Sequence, residues 1–219
     1  MDLRNKCIIL LTFFILGISS INAQDKRVWT FEFLPGGAII PPMPLKIKQT
    51  DYYNIKITAR YNTESFKLPI YYSYRLGSFK NKRGWSIEMN HLKIYLKNTN
   101  DLIQQFSISH GYNQVFINHH IVKEKYSLIL GIGTVIGHPE STIRNQTYTE
   151  KGGLFNDGYY LSGITFQGAI HYPLITSKHF NLPVESKVSL GYGTVPISNG
   201  KAQVPVVAFH LLMGPCFKL

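Results

Sequence analysis

The chain has 219 residues, of which 44% are hydrophobic and 16% charged, and its formal net charge is +11. The low charge and the 13% aromatic content exclude a disordered chain, a coiled coil and a collagen, since each needs a different composition. Beyond the N-terminus, no apolar run reaches the roughly 18 residues of a membrane helix. These quantities predict a single domain that is rich in β-structure and long enough to bury a core.

The N-terminus has the features of a targeting segment. Arg4 and Lys6 precede a short apolar stretch that starts at Cys7, and Ala23 suits the position before a cleavage point. A basic region, a short apolar core and a small residue, in this order, are typical of a secretory signal peptide. We therefore expect residues 1–23 to be removed on export.

Removal of residues 1–23 takes away two basic side chains and one acidic side chain, so the net charge falls from +11 to +10. Cys216 is then the only cysteine, which rules out an intramolecular disulfide. The remaining basic residues lie mostly between predicted strands, which favours affinity for lipopolysaccharide or acidic lipid headgroups over nucleic acid. No cofactor is expected, and we expect a monomer.

Residues 24–50 allow two interpretations. Trp29, Phe31 and Phe33 alternate with polar residues as in a strand, but a Gly-Gly pair and a Pro-Pro pair follow. The segment is either an N-terminal arm, in the periplasm or plugging the lumen, or two extra strands that raise the strand count to ten. We expect the arm.

From residue 53 onward the hydrophobic pattern has a period of two, which is typical of strands. Eight segments show it, at about 53–62, 66–76, 84–96, 104–118, 124–136, 158–173, 184–195 and 203–214. Several are about 10–14 residues long, whereas strands of globular proteins are usually about 5–6 residues. A tilted strand that crosses a membrane needs about 9–11 residues.

The two faces of these strands differ in chemistry. One face carries large apolar side chains such as Leu130, Phe166 and Leu190, and the other carries glycines, serines and long charged groups. We place the apolar face in lipid, where the sheet must close because open edges would leave amides unsatisfied. Residues 51–219 are thus predicted to form an all-β, closed, antiparallel, up-and-down transmembrane β-barrel. The opposite orientation would give a soluble, lipocalin-like periplasmic carrier.

This pattern, the signal peptide and the even strand count resemble the small OmpA/OmpX-type barrels of Gram-negative outer membranes. The resemblance covers about residues 53–219, and the stretches 85–96, 107–113 and 208–214 are also similar to a poorly characterised branch of outer-membrane barrels. It implies a location in the outer membrane. Counting the eight strands from a start in the periplasm places segment 137–157 on the outside, where long loops of such barrels lie. The resemblance implies no activity.

Four charged residues fall on the inward face of the predicted strands, namely Lys56, Arg60, Arg75 and Glu88. Buried charges must pair, because their desolvation costs several kcal/mol per ion. Eight strands also enclose a space that side chains fill. We therefore expect a lumen network and no wide pore, and a structural or surface-binding role in which basic loops meet lipopolysaccharide or a protein partner.

A hydrolase is the alternative. Pairing of strands 84–96 and 104–118 would bring His91 near Ser109 and His110, with Ser107 on the same strand. These residues and the nearby Glu88 could form a set of nucleophile, base and orienting carboxylate. Lipid A deacylases of the outer membrane, which cleave ester-linked acyl chains from lipopolysaccharide, contain such a set.

The order of these residues departs from the deacylase pattern, in which a histidine and a serine stand two apart on one strand face. Here Ser109 directly precedes His110. The apolar phase of strand 84–96 also changes near His91, which predicts a β-bulge there. We expect these histidines to be structural or interfacial. His138 and Glu140 are too few for a metal site, which needs three or four ligands.

Overall fold

The computed structural model describes residues 27–148, 152–154 and 156–219, so the predicted signal peptide lies outside the described residues. The strands in this part of the chain are β1 (Val28–Ile39), β2 (Met43–Gln49), β3 (Ile55–Ala59), β4 (Tyr61–Asn62), β5 (Tyr72–Lys80), β6 (Arg83–Leu96), β7 (Ile103–Val122), β8 (Ser127–Gly137), β9 (Glu140–Ile143), β10 (Gln146–Tyr148), β11 (Tyr160–Thr176), β12 (Phe180–Ile197), β13 (Gly200–Met213) and β14 (Cys216–Lys218). Among the described residues, no helix is long and apolar enough to cross a membrane.

Eight of these strands form a ring. β1, β5, β6, β7, β8, β11, β12 and β13 pair in this order, always antiparallel, and β13 pairs with β1. Following the paired residues once around the ring from Val28 leads to Ala38, 10 residues further along β1. This stagger tilts the strands by about 40°. The prediction of a closed, antiparallel barrel of eight strands is confirmed.

The first strand of the ring differs from the predicted one. Residues 28–39 form β1 in the barrel wall, whereas the predicted first strand, 53–62, leaves the ring as β3 and β4. Because one strand enters the ring in place of another, the ring still has eight strands. The glycine pair that suggested an interruption allows the ring to close, because a Cβ on Gly36 would lie 2.2 Å from the carbonyl oxygen of Leu211 on β13.

The large apolar side chains point away from the ring. Leu130, Phe166 and Leu190 are 61%, 44% and 49% exposed, whereas Arg75 and Glu88 are buried in the interior. A lipocalin-like carrier would need the apolar side chains on the inside, around its ligand. That alternative is wrong, because the side chains that would line its cavity face outward.

The two ends of the barrel differ in their connections. At one end, short turns join β5 to β6, β7 to β8 and β11 to β12. At the other end, the chain leaves the ring twice, over residues 40–71, which contain β2, β3 and β4, and after β8, where β9 and β10 follow. We term β2, β3, β4, β9 and β10 with their connections the outward extension. Because long loops of outer-membrane barrels face outward, the end with the short turns is termed the periplasmic end and the other the outward end.

The interior changes from polar to apolar toward the outward end. On β6 the inward side chains run from Glu88 and Asn90 to Leu92, Ile94 and Leu96 without a change of phase. The last three join an apolar cluster with side chains at the outward ends of ring strands and on β2, β3 and β9, including Leu45, Ile47, Ile55, Phe106, Ile143, Val195 and Val204. The predicted phase change on β6 is therefore wrong. The chemistry of the interior changes, and the strand keeps its orientation.

The irregularity predicted near His91 lies mainly on the neighbouring strand. The β6–β7 register shifts between Leu92 and Ile94, where β7 accommodates extra residues at 109–111. Gly111 has a φ of 123°, which favours glycine. A β-bulge therefore occurs close to the predicted place, and it redirects side chains of β7.

Replacement of Ile132 by arginine tests the outward orientation. Ile132 lies midway along β8 and is exposed, and Leu161 lies at the outward end of β11, where it is also exposed. An arginine on the lipid face costs about 2–4 kcal/mol at the bilayer centre and about 0–1 kcal/mol near the interface. We expect Ile132→Arg to lower the free energy of unfolding in lipid vesicles by the larger amount and Leu161→Arg by the smaller. Equal effects would contradict this orientation.

Candidate functional site

An ionic network occupies the middle of the lumen. The guanidinium of Arg75 contacts three carboxylates, at 2.8 Å from Glu32, 3.0 Å from Glu88 and 2.7 Å from Glu185. Lys187 also bonds Glu88 and lies 3.3 Å from Glu185. All five side chains are at most 3% exposed. Because each buried ion has lost its hydration, these pairings are required for the barrel to hold them.

Neutral polar groups complete the network. The carboxylate of Glu88 accepts further hydrogen bonds from Ser73, Asn118 and Gln167, each at 2.8 Å. His171 lies 3.2 Å from Glu185 at the periplasmic side. These side chains are buried in the interior of the barrel, and the apolar cluster lies on their outward side. This arrangement suits a structural plug.

The structure brings together only part of the predicted lumen set. Arg75 and Glu88 bond directly, but Lys56 and Arg60 are exposed to solvent. The prediction for these two residues is wrong, because β3 and the residues after it belong to the outward extension and not to the ring.

Sequence reasoning missed three members of the network. Glu32 stands in the segment interpreted as an arm, so its inward position was not considered. Glu185 and Lys187 lie two residues apart on one face of a predicted strand, and the inward phase that marked Arg75 could have identified them.

The predicted hydrolytic residues do not form a working set. The hydroxyl of Ser109 bonds the Glu140 carboxylate, and His110 Nδ1 lies 3.3 Å from that hydroxyl and 3.2 Å from Glu140 Oε1. A catalytic histidine contacts serine through one ring nitrogen and the carboxylate through the other. Here the same nitrogen faces both partners, so the contacts provide no proton relay.

The other hydrolytic candidates lie in separate environments. His91 is buried, bonds Asn113 through Nδ1 at 2.8 Å and stacks on Tyr72. Glu88 is held in the lumen by Arg75 and Lys187, far from any role at the surface. Ser107 is buried on β7, opposite Glu140.

A stripe of lysines lies on the surface of the outward extension. We define the lysine stripe as Lys46, Lys48, Lys56 and Lys201. Lys46 is paired across the sheet with Lys56, and Lys48 with Lys201. On β2 the lysines alternate with buried residues, so their side chains point outward. Within the described ranges, none of the four forms an ion pair.

The stripe concentrates positive charge for which the described part of the chain provides no acidic partner. Side chains directly opposite each other on antiparallel strands have Cβ atoms about 4.5–5.5 Å apart, and like charges at this distance are destabilising. Lys67, in the loop before β5, differs from them. It bonds Glu64 at 2.7 Å, and this carboxylate raises the pKa of Lys67. The four lysines of the stripe have no such partner among the residues that the structure describes, so an external anion would relieve the repulsion.

No protein-family model matches the chain, and none of the curated proteins is similar to it in sequence. Among solved structures, Ail, the attachment invasion locus protein of Yersinia pestis, is 12% identical, with 89% of this chain and 100% of that chain covered and a TM-score of 0.38. A structure of Ail in complex with the heparin analogue sucrose octasulfate is 11% identical, with the same coverage and TM-score. The outer membrane protein AlkL, determined in DMPC lipid bilayers, is 10% identical, with 92% and 94% covered and a TM-score of 0.49.

Substitution of Arg75 tests the importance of the network. Arg75→Met removes the ion-pair partner of Glu32 and leaves Glu88 and Glu185 to share Lys187. The loss of one partner from a buried ion pair typically costs about 3–5 kcal/mol. Arg60→Met is the matched control, because Arg60 is exposed and should change stability by less than about 0.5 kcal/mol. Urea unfolding in detergent micelles measures both. Similar stability of the two variants would show that the network does not hold the barrel together.

Proposed function

We propose that this chain is an outer-membrane β-barrel protein of a Gram-negative bacterium that binds lipopolysaccharide at the cell surface through the lysine stripe. The role is structural and adhesive. Three features of the structure support the proposal, namely the apolar outer wall, the filled lumen and the positive charge of the outward end.

The outer wall supports the membrane location. Large apolar side chains on the wall are exposed on every strand of the ring, among them Phe31, Leu76, Ile87, Ile117, Ile132, Ile164, Val188 and Leu211. Soluble monomers rarely expose contiguous apolar patches of more than a few hundred Å². A closed ring also leaves no unpaired edge amides in the hydrocarbon. Lipid is therefore the environment that suits this surface, and barrels of this kind belong to outer membranes.

Because the lumen is filled by side chains, the binding surface that we propose lies on the outside of the protein. The ionic network and the apolar cluster above it occupy the space that a conducting channel would need. Transport through the barrel is therefore not the activity that the structure supports. The groups available for interaction are those on the outward extension.

The observation that best supports the binding proposal is that lysines of the stripe lie directly opposite each other on neighbouring strands. Two cross-strand pairs of like charge stand at the outward end without acidic partners among the described residues. Phosphate groups of lipopolysaccharide would supply the missing negative charge at the height where the extension leaves the membrane. An acidic protein could compete for the same surface, and the binding experiment below separates the two.

Cell fractionation and gel mobility test the membrane location. The protein should remain with the outer membrane, and unboiled samples should migrate faster than heated samples on a detergent gel, because the closed barrel resists unfolding. Recovery with soluble periplasmic proteins and a mobility unaffected by heating would contradict the proposal.

Charge reversal of the stripe tests the ligand. The variant Lys46→Glu/Lys48→Glu/Lys56→Glu/Lys201→Glu should lose at least about tenfold in affinity for purified lipopolysaccharide, and the affinity of the unaltered chain should fall with added salt. The matched control is Lys82→Glu/Arg83→Glu/Lys123→Glu/Lys125→Glu, which makes the same charge change on exposed turns at the periplasmic end. Equal losses in both variants would show that total charge, and not the stripe, determines binding. Unchanged binding in the stripe variant would favour a protein partner.

A further inference from the structure

The bulge on β7 brings three metal-ligating side chains together at the outward end. His110 lies within the bulge, and the backbone N–H of His138, just after β8, donates to the carbonyl of Gly111 at 3.2 Å. Glu140 follows two residues later, at the start of β9. The irregular backbone of β7 therefore positions His110 beside a segment that returns from the neighbouring strand.

The donor atoms of these side chains have the spacing of a metal site. One donor from each of His110, His138 and Glu140 lies within 4.8 Å of the other two. His110 Nδ1 is 3.2 Å from Glu140 Oε1, and the ring centroids of the two histidines are 4.7 Å apart. Two ligands that bind a tetrahedral ion at about 2.0–2.1 Å are about 3.4 Å apart. Small rotations of the side chains would therefore suffice to bring the three donors around one ion.

The local charge also suits a cation. Among the described residues, no lysine or arginine bonds Glu140, so its carboxylate charge is available to a metal ion. In a second group, the ligand atoms of Glu32, His171 and Glu185 also lie within 4.8 Å of one another. However, Arg75 bonds both of its carboxylates, and this buried guanidinium would repel a metal ion. The outward group is therefore the better site.

The burial of the three residues leaves a coordination position open. His138 is 5% exposed, whereas His110 and Glu140 reach the surface. A groove of about 480 Å³, lined by residues that include Tyr72, His110 and Tyr159, lies beside them. Three protein ligands with an open fourth position are typical of sites where the metal also binds water or an anionic oxygen.

We propose that His110, His138 and Glu140 bind a divalent transition-metal ion of the Zn²⁺ class, with the fourth position open toward this groove. The sequence showed His138 and Glu140 as an insufficient pair, and the bulge supplies the third ligand. The bound ion would link β7 to β9 and thereby fasten the outward extension.

Metal titration of the untagged, refolded chain in detergent tests this site. Calorimetry should show one Zn²⁺ per chain, and Co²⁺ should give the intense visible absorption of a four-coordinate ion. His110→Ala and Glu140→Gln should each weaken Zn²⁺ binding by at least about tenfold and reduce the Co²⁺ absorption. The exposed position of His110 makes its variant the one least disturbing to the fold, and heat-dependent gel mobility checks that each variant is a barrel.

Two control variants locate the site. His179→Ala, in an exposed periplasmic turn, and His171→Asn, in the lumen, should both retain the Zn²⁺ affinity of the unaltered chain. Loss of binding in His171→Asn alone would move the site into the lumen and overturn the proposal. Binding unaffected by His110→Ala and Glu140→Gln, or no saturable binding in the unaltered chain, would also overturn it.

Discussion

The Arg75 guanidinium, buried among three carboxylates, is the interaction on which the barrel depends most. Its partners Glu32, Glu88 and Glu185 stand on β1, β6 and β12, so one side chain on β5 ties together strands from different parts of the ring. Desolvated charges tolerate few alternative arrangements, because any unpaired ion costs several kcal/mol. The network therefore favours one arrangement of the strands.

The polarity of the interior and the polarity of the outer surface both change along the barrel axis, in opposite directions. Where the wall carries exposed leucine, isoleucine and phenylalanine, the interior is polar and ionic. Toward the outward end, where the lysine stripe lies on the surface, the interior becomes an apolar cluster like that of a water-soluble protein. The hydrophobic effect can stabilise only the extension in this way. The membrane-facing part relies on hydrogen bonds and ion pairs instead, and the surfaces for which we propose binding lie on the extension.

Local sequence patterns predicted the strands and their orientation, because a period of two is a property of neighbouring residues. The pairing of β1 with β13 could not be predicted in this way, since the residue opposite Gly36 is Leu212, which is far away in the sequence. Segment 53–62 has a clear period of two, but it forms β3 and β4 of the outward extension. The prediction that Lys56 and Arg60 face the lumen therefore failed. Arg75 and Glu88 were identified from their phase. The approach of His110 to His138 and Glu140 depends on a bulge, whose effect on side-chain direction sequence alone does not give.

The direction of the wall side chains is the central claim, and spin-label accessibility measures it directly. Nitroxides would be attached to Leu130→Cys, Phe166→Cys and Tyr53→Cys in a Cys216→Ser background, with the protein in lipid vesicles. We expect labels at 130 and 166 to collide with oxygen dissolved in the bilayer and to be protected from a water-soluble nickel reagent, whereas the label at 53 should show the reverse. Ready access of the nickel reagent to positions 130 and 166 would contradict the account.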